Sequence, residues 1–155
     1  MKIDHRVLLE LNAVLRESLT AINQYFLHGR MLKNAGYHAL DERVVHRSID
    51  EMKMADKLVQ RIFLLEGLPN LQELNKLLIG ENVPEILACD LKLEQRKHQV
   101  LLKAIATCEK LEDFVTRDLL EKFKHENEES IDWIETQQDL IDAMGLQNYL
   151  QSQTL

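Results

Sequence analysis

Glycine and proline are scarce in this chain, five and two among 155 residues, and that scarcity excludes the frequent tight turns of a β-sandwich or barrel. No apolar run approaches the roughly 18 residues that span a bilayer. The N-terminus Met1-Lys2-Ile3-Asp4 lacks the apolar stretch of a signal peptide, so a cytoplasmic location without a membrane role is expected. Basic side chains are outnumbered, 19 against 26 acidic, giving a net charge of −7. With no Lys/Arg-rich block to offset it, that balance argues against nucleic acid and anionic membrane as partners and favours cations. Cysteine is also sparse: Cys89 and Cys108 stand 19 residues apart in one helical segment. A continuous helix holds them about 28 Å apart at roughly 1.5 Å per residue, too far to pair within the chain.

The remainder reads as long amphipathic helices in one domain over residues 1–155. The first is capped by Asp4, carries Leu8, Leu11, Leu15, Ile22 and Tyr25 at spacings of three and four, and ends at Gly36. The second starts near Asp41, shows Val44, Ala55, Leu58, Ile62 and Leu65 on one face, and ends at Gly67 with Pro69 beyond. Residues 67–82 exceed a normal helix-to-helix turn yet contain Leu68, Leu71, Leu74, Leu77, Leu78 and Ile79, so they read as a packed crossover. Asn82 with Pro84 starts a third helix bearing Leu87, Leu91, Leu101 and Ile105. A break near Glu112-Asp113 opens a fourth with Leu120, Phe123, Ile134 and Ile141, closed at Gly145. The last ten residues allow a short fifth. Four long helices with one long crossover between the second and third predict an all-α, ferritin-like four-helix bundle.

The polar residues that interrupt the core stripes are Ser18, Glu51, Glu94, His98, Asn127 and Ser130. A buried polar side chain is unfavourable unless paired, protonated or bound to metal. Glu51 and Glu94 place carboxylates near mid-bundle on two different helices. They read either as protonated or Lys-paired core acids, or as the remains of a carboxylate metal site. A di-iron bundle needs one Glu from each of two helices and Glu-x-x-His from each of the others. Here the corresponding runs are Ser18, Glu51-Met52-Lys53-Met54, Glu94, and Asn127-Glu128-Glu129-Ser130. His98, one turn after Glu94, offers a substitute ligand; the bland alternative is a surface or hydrogen-bonded histidine. Glu17 and Glu128 are one residue, about 100° of helix rotation, from the required positions. Met52 lies on a second apolar stripe with Val45, Ile49, Val59 and Phe63, the mark of a helix that also packs against another subunit. A methionine there is either a gap-filler or a haem ligand.

The runs Ala21-Ile22-Asn23-Gln24-Tyr25-Phe26-Leu27-His28, Ser48-Ile49-Asp50-Glu51-Met52-Lys53, Leu65-Glu66-Gly67-Leu68-Pro69-Asn70, Ile131-Asp132-Trp133 and Met144-Gly145-Leu146-Gln147-Asn148-Tyr149-Leu150 closely resemble bacterioferritin over essentially the whole chain. The resemblance implies a cytoplasmic 24-subunit cage that stores ferric iron and carries haem b at two-fold interfaces. Met52 matches the family's haem ligand, and Leu19, Ile22, Asn23, Phe26 and Ile49 match the surroundings of that haem. The family's ferroxidase centre maps onto Ser18, Glu51, Met54, Glu94, Asn127 and Ser130, where the family has Glu, Glu, His, Glu, Glu and His. Only Glu51 and Glu94 match, and Tyr25 stands beside them. His46 and Asp50 match an inner-surface iron site whose neighbouring acid is Arg47 here. Asn34, Glu66, Asp132 and Thr136 match a pore. Leu68 and Glu81 match the docking place of an iron-sulfur ferredoxin. Haem ligand kept and ferroxidase ligands lost is similar to the haem-type subunit of two-component bacterioferritins, in which a second subunit oxidises iron. The alternative is a self-sufficient ferroxidase built on Glu51, Glu94 and His98. Restoring Ser18, Met54, Asn127 and Ser130 to Glu, His, Glu and His is expected to rebuild the centre.

Overall fold

The computed structural model describes residues 1–155, in which five helices follow one another without a strand: α1 (His5–Ala35), α2 (His38–Leu64), α3 (Val83–Lys110), α4 (Phe114–Met144) and α5 (Leu146–Ser152). Each long helix starts and stops for a local reason. Asp4 accepts from the Arg6 N–H at the start of α1, Asn82 from Glu85 before α3, and Asp113 from Thr116 before α4, each satisfying an otherwise orphaned donor. Gly36 ends α1 with φ of 90°, in the left-handed region that favours glycine, and its N–H returns to the Leu32 and Lys33 carbonyls. α2 begins at His38, a few residues before the expected Asp41, with no side-chain cap.

α1 and α2 form one antiparallel hairpin, α3 and α4 a second, and α1 packs on α3. α5 closes one end, where buried Tyr149 donates to Gln137 Oε1 at 2.7 Å. The apolar core is not continuous. One cluster joins Val7, Leu11, Leu15, Leu58, Ile62, Leu101 and Leu120, and another joins Ala21, Leu32, Leu40, Leu87, Leu93, Ile134 and Tyr149. Between these halves all four long helices contribute polar side chains, and that mid-bundle layer is where the sequence places Glu51 and Glu94.

Residues 65–82 run as an extended strap, not a helix. Its leucines do not anchor it as their pattern suggests: Leu68, Leu71, Leu74 and Ile79 are exposed, and only Leu77 and Leu78 are half-buried. The strap is instead held by polar residues of α1 spaced four apart. Asn12 accepts from the Asn70 N–H, Thr20 from Asn75, Gln24 from Leu78 and His28 from Gly80, all between 2.9 and 3.0 Å. Arg16, in the same row, pairs with Glu73. Backbone donors that a non-helical strap leaves unpaired are thereby satisfied. Since His28 Nε2 accepts, Nδ1 carries the proton and donates to buried Asp90 at 2.8 Å.

Candidate functional site

The mid-bundle layer is closed to bulk solvent: Glu51, Glu94 and Lys97 are all 0% exposed. Arg47 lies one turn before Glu51 on α2, and Lys97 lies one turn after Glu94 on α3. Arg47 Nη2 donates to Glu51 Oε1 at 3.0 Å and to Glu94 Oε1 at 3.3 Å. Lys97 Nζ donates to Glu51 Oε1. Tyr25 on α1 donates its hydroxyl to Glu94 Oε1 at 2.9 Å, and Asn127 on α4 donates to Glu94 Oε2 at 2.9 Å. Two carboxylates thus meet two cations, and charge balance in the layer is achieved by the chain alone.

The electrostatics follow from that pairing. Burial alone pushes the Glu94 carboxyl up, but Lys97, Arg47 and the hydrogen bonds from Asn127 and Tyr25 overcome it and hold the group below its ordinary value. Burial works against the Arg47 charge, yet Glu94, Tyr25, Glu51 and Asp50 more than offset this and raise its proton affinity. Tyr25 is driven well above the usual phenol range by burial and then by the Glu94 charge, so its hydroxyl stays a donor.

The positions expected for the missing ligands do come to this layer. Ser18, Met54, Asn127 and Ser130 are buried, but their contacts are not those of ligands to a metal. The Met54 thioether lies 3.9 Å from Lys97 Nζ. Ser130 Oγ donates to the Glu126 carbonyl of its own helix. Ser18 Oγ, Glu51 Oε2 and Asn127 Oδ1 have no protein partner. Nowhere does a group of three or more His, Cys, Asp or Glu side chains converge to hold a metal. His98 is partly exposed and its Nε2 meets Glu128 Oε2 at 3.0 Å, away from Glu51 and Glu94. Glu17 is buried beside the layer, where Arg96 Nε approaches Oε2 at 2.9 Å and Asn75 Nδ2 approaches Oε1 at 2.7 Å. Burial raises its carboxyl despite both partners. Iron does not fit this donor set.

Lys97 and Arg47 are the residues that sequence reasoning passed over as partners of the acids. The signal was there: Lys97 continues the stripe Leu87, Leu91, Glu94, Leu101 by steps of three and four, and Arg47 sits likewise between Val44 and Glu51. A Lys or Arg reads as solvated by default, since either is almost never fully buried unless paired.

The outer face of α1 and α2 has the opposite character. Met52 is 49% exposed beside exposed Ile49, Phe26 and Asn23, with Leu19 and Ile22 half-buried. The two helices are locked at this level by the Ser48 hydroxyl donating to the Ile22 carbonyl at 2.8 Å. A soft, neutral thioether presented beside Ile49 and Phe26, the latter under the Arg30 guanidinium at 5.1 Å, suits a haem ligand. His46 and Asp50 are together, Nδ1 to Oδ2 at 3.2 Å, while Arg47, in place of an acid, turns inward. Asn34 and Glu66 are exposed at opposite ends of the bundle, and Asp132 and Thr136 are exposed on α4; one chain does not bring these four together. Leu68 and Glu81 likewise lie at the two ends of the strap, beside Asn12 and near His28. That separation corresponds to about 24 Å of helix.

Cys89 and Cys108 are free, and burial pushes the Cys108 thiol up to about 11. No helix is long and apolar enough to cross a membrane.

Comparison with known proteins agrees with this architecture. The ferritin-like domain family matches residues 8–144. The chain is 45% identical to the bacterial ferritin of Pseudomonas aeruginosa over 144 residues, 92% of this chain and 93% of that protein. It is 42% identical to the bacterial ferritin of Synechocystis over 154 residues, 99% of each chain. It is 41% identical to the bacterioferritin of Brucella melitensis over 149 residues, 96% of this chain and 92% of that protein. Likeness of this depth over more than nine-tenths of the chain means that the chain belongs to the bacterioferritins.

Proposed function

We propose that this chain is the haem-carrying, non-oxidising subunit of an iron-storage cage. Iron storage itself follows from family membership; the division of labour is the proposal. The observation that carries it is the contrast between two sites about one helix diameter apart. At mid-bundle, Glu51 and Glu94 are engaged by Lys97 and Arg47, whereas pairwise oxidation of ferrous iron needs two adjacent metals held by carboxylates and histidines. On the outer face, Met52 stands free among apolar neighbours. Supplied by two copies across a two-fold axis, it gives a symmetric pair of thioethers.

Haem b held between two thioethers supplies a one-electron carrier whose reduced state is favoured. The rest is the work of the chain. Ile49 and Phe26 keep water from the ligand face, and Ser48 fixes the α1–α2 register that sets the height of Met52. Leu68 and Glu81 are the proposed contacts of an iron-sulfur ferredoxin. Asn34, Glu66, Asp132 and Thr136 are proposed to line passages formed between subunits for incoming cations, and a second, ferroxidase-competent bacterioferritin chain is proposed to share the cage. His46 and Asp50 remain a candidate iron contact on the inner wall.

Ferrous-oxidation kinetics test this reading on cages of this chain alone and on cages mixed with a ferroxidase-competent subunit. Slow oxidation by the first and fast oxidation by the second is expected. Fast oxidation by the pure cage that disappears in Glu51→Gln would instead establish a self-sufficient centre.

A further inference from the structure

We propose that Arg47 and Lys97 act as built-in cations that close the mid-bundle carboxylate pocket to divalent metal, so that this chain does not compete for the ferrous iron entering its cage. The inference rests on the reading of the chain as a non-oxidising subunit, and adds the means by which its centre is shut.

Losing ligands does not by itself close such a pocket. Glu51 and Glu94 lie between two apolar clusters, and uncompensated carboxylates there would attract any divalent cation, since hard cations prefer oxygen donors. The chain removes that attraction in two ways. First, three of the four carboxylate oxygens already accept from protein donors: Glu51 Oε1 from Lys97 and Arg47, Glu94 Oε1 from Arg47 and Tyr25, and Glu94 Oε2 from Asn127. Of the carboxylate oxygens a metal would find only Glu51 Oε2 without a partner, beside the neutral oxygens Ser18 Oγ and Asn127 Oδ1. Second, the layer is neutral as it stands, two negative and two positive charges. An added divalent ion would bring a net charge of two into a buried, low-dielectric space unless a resident cation left or lost its proton.

Both cations are tied to the carboxylates. Lys97 is fully buried, and besides Glu51 its ammonium group approaches only the Met54 sulfur. Arg47 is held by Glu51, by Glu94, by Asp50 at 3.7 Å and by the Tyr25 ring, whose centroid is 5.7 Å from the guanidinium carbon. A guanidinium also does not deprotonate in proteins. The two side chains therefore occupy the place and the charge that metal ions would take.

Cobalt(II), which air does not oxidise under ordinary buffer conditions and whose visible spectrum reports coordination, is the probe. Binding is measured by equilibrium dialysis and absorption on the assembled protein, on Glu51→Gln, on the Arg47→Gln/Lys97→Gln double variant, and on that variant with Glu51→Gln added. The parent is expected to hold no cobalt that Glu51→Gln removes. The double variant is expected to gain about one cobalt per subunit, lost again in the triple variant. A parent that binds cobalt through Glu51, or a folded double variant that takes up no more than the parent, overturns the proposal. Should the double variant fail to assemble, Lys97→Gln alone takes its place, with a weaker Glu51-dependent site expected; a folded single variant with no such site is equally decisive against it. Haem content is read on the same samples. Cages that exclude cobalt but take up no haem would defeat the electron-carrying role and leave the closure intact, whereas haem-loaded parent cages that bind cobalt through Glu51 would do the reverse.

Discussion

Lys97 contributes more to the mid-bundle layer as a charge than as a contact. In the parent, Glu94 is held below its ordinary value although burial pushes it up, with Lys97 the strongest opposing influence. A folded-state value below the unfolded one contributes stability that is complete above the unfolded value of about 4.3 and is lost as pH falls through the folded value. Lys97→Met is expected to reverse the sign. With its main compensation gone, burial dominates, the carboxyl moves up, and the folded state binds more protons than the unfolded chain above about pH 4.3. The variant is expected to lose about 3–5 kcal/mol at neutral pH, as when one partner of a buried pair is removed. Unlike the parent, it should regain part of the loss on acidification towards about pH 5, which thermal unfolding at two pH values reads directly. Adding Glu51→Gln should also recover part of it by rebalancing the charge. The same reasoning revises what restoring the centre requires. Ser18→Glu, Met54→His, Asn127→Glu and Ser130→His do stand at the buried layer, but with Arg47 and Lys97 in place the fourfold variant is expected to oxidise ferrous iron no faster than the parent. Replacing those two cations with Leu and Ala as well should produce rapid oxidation, followed by stopped-flow absorbance. Glu51 and Glu94 were legible from the sequence as acids in apolar stripes. A lysine partner was among the readings the sequence allowed and Lys97 bears it out, but which lysine, and the part of Arg47, were not read, because a long basic side chain reads as surface until the opposite helix is in view.

At the level of the elements, the helices were legible because each carries its own punctuation: Asp4 and Gly36 around α1, Asn82 and Pro84 before α3, Asp113 before α4. The strap was legible in place and length but not in what fastens it. Leu68, Leu71 and Leu74 are exposed, and the fastening comes from a polar row on α1 whose spacing of four looks, in one dimension, like an ordinary solvated face. His28 is the end of that row and is wholly buried between Asp90 and the Gly80 N–H. His28→Ala orphans the Gly80 N–H and leaves Asp90 Oδ1 with Gln24 Nε2 as its remaining donor at 2.9 Å; a group left unsatisfied in the interior is worth about 1–3 kcal/mol. The loss should be local in the first instance. Hydrogen exchange is expected to accelerate at the Gly80 and Leu78 amides while the Asn70 amide, held by Asn12 at the far end of the strap, keeps the parent rate. Uniform acceleration along residues 68–82 would mean that the strap opens as one unit, and that the row does not fasten it residue by residue.

For the whole molecule, the decisive feature is how much apolar side chain a single chain leaves uncovered. Phe26, Ile49, Met52, Phe63 and Leu64 are all exposed on the outer faces of α1 and α2, alongside half-buried Val45 and Val59 of the same stripe. An apolar face of this kind is characteristic of a surface that another molecule covers. In a two-fold assembly each residue near the axis faces its own counterpart. Two substitutions separate the packing role of this face from its proposed ligand role. Met52→Leu keeps the apolar volume, which hydrophobic swaps of this kind usually tolerate within about 1.5 kcal/mol. It is expected to leave the assembly intact while abolishing the bis-methionine absorption spectrum of bound haem. Ile49→Lys, one turn away, brings two ammonium groups towards each other across the axis in place of two apolar side chains. That change is expected to shift the protein to smaller species in size-exclusion chromatography with light scattering, and to remove haem as a consequence. An Ile49→Lys cage of parental size would show that the outer face of α2 is not the two-fold interface. Retention of the parental haem spectrum in Met52→Leu would show that the iron is held by some other side chain.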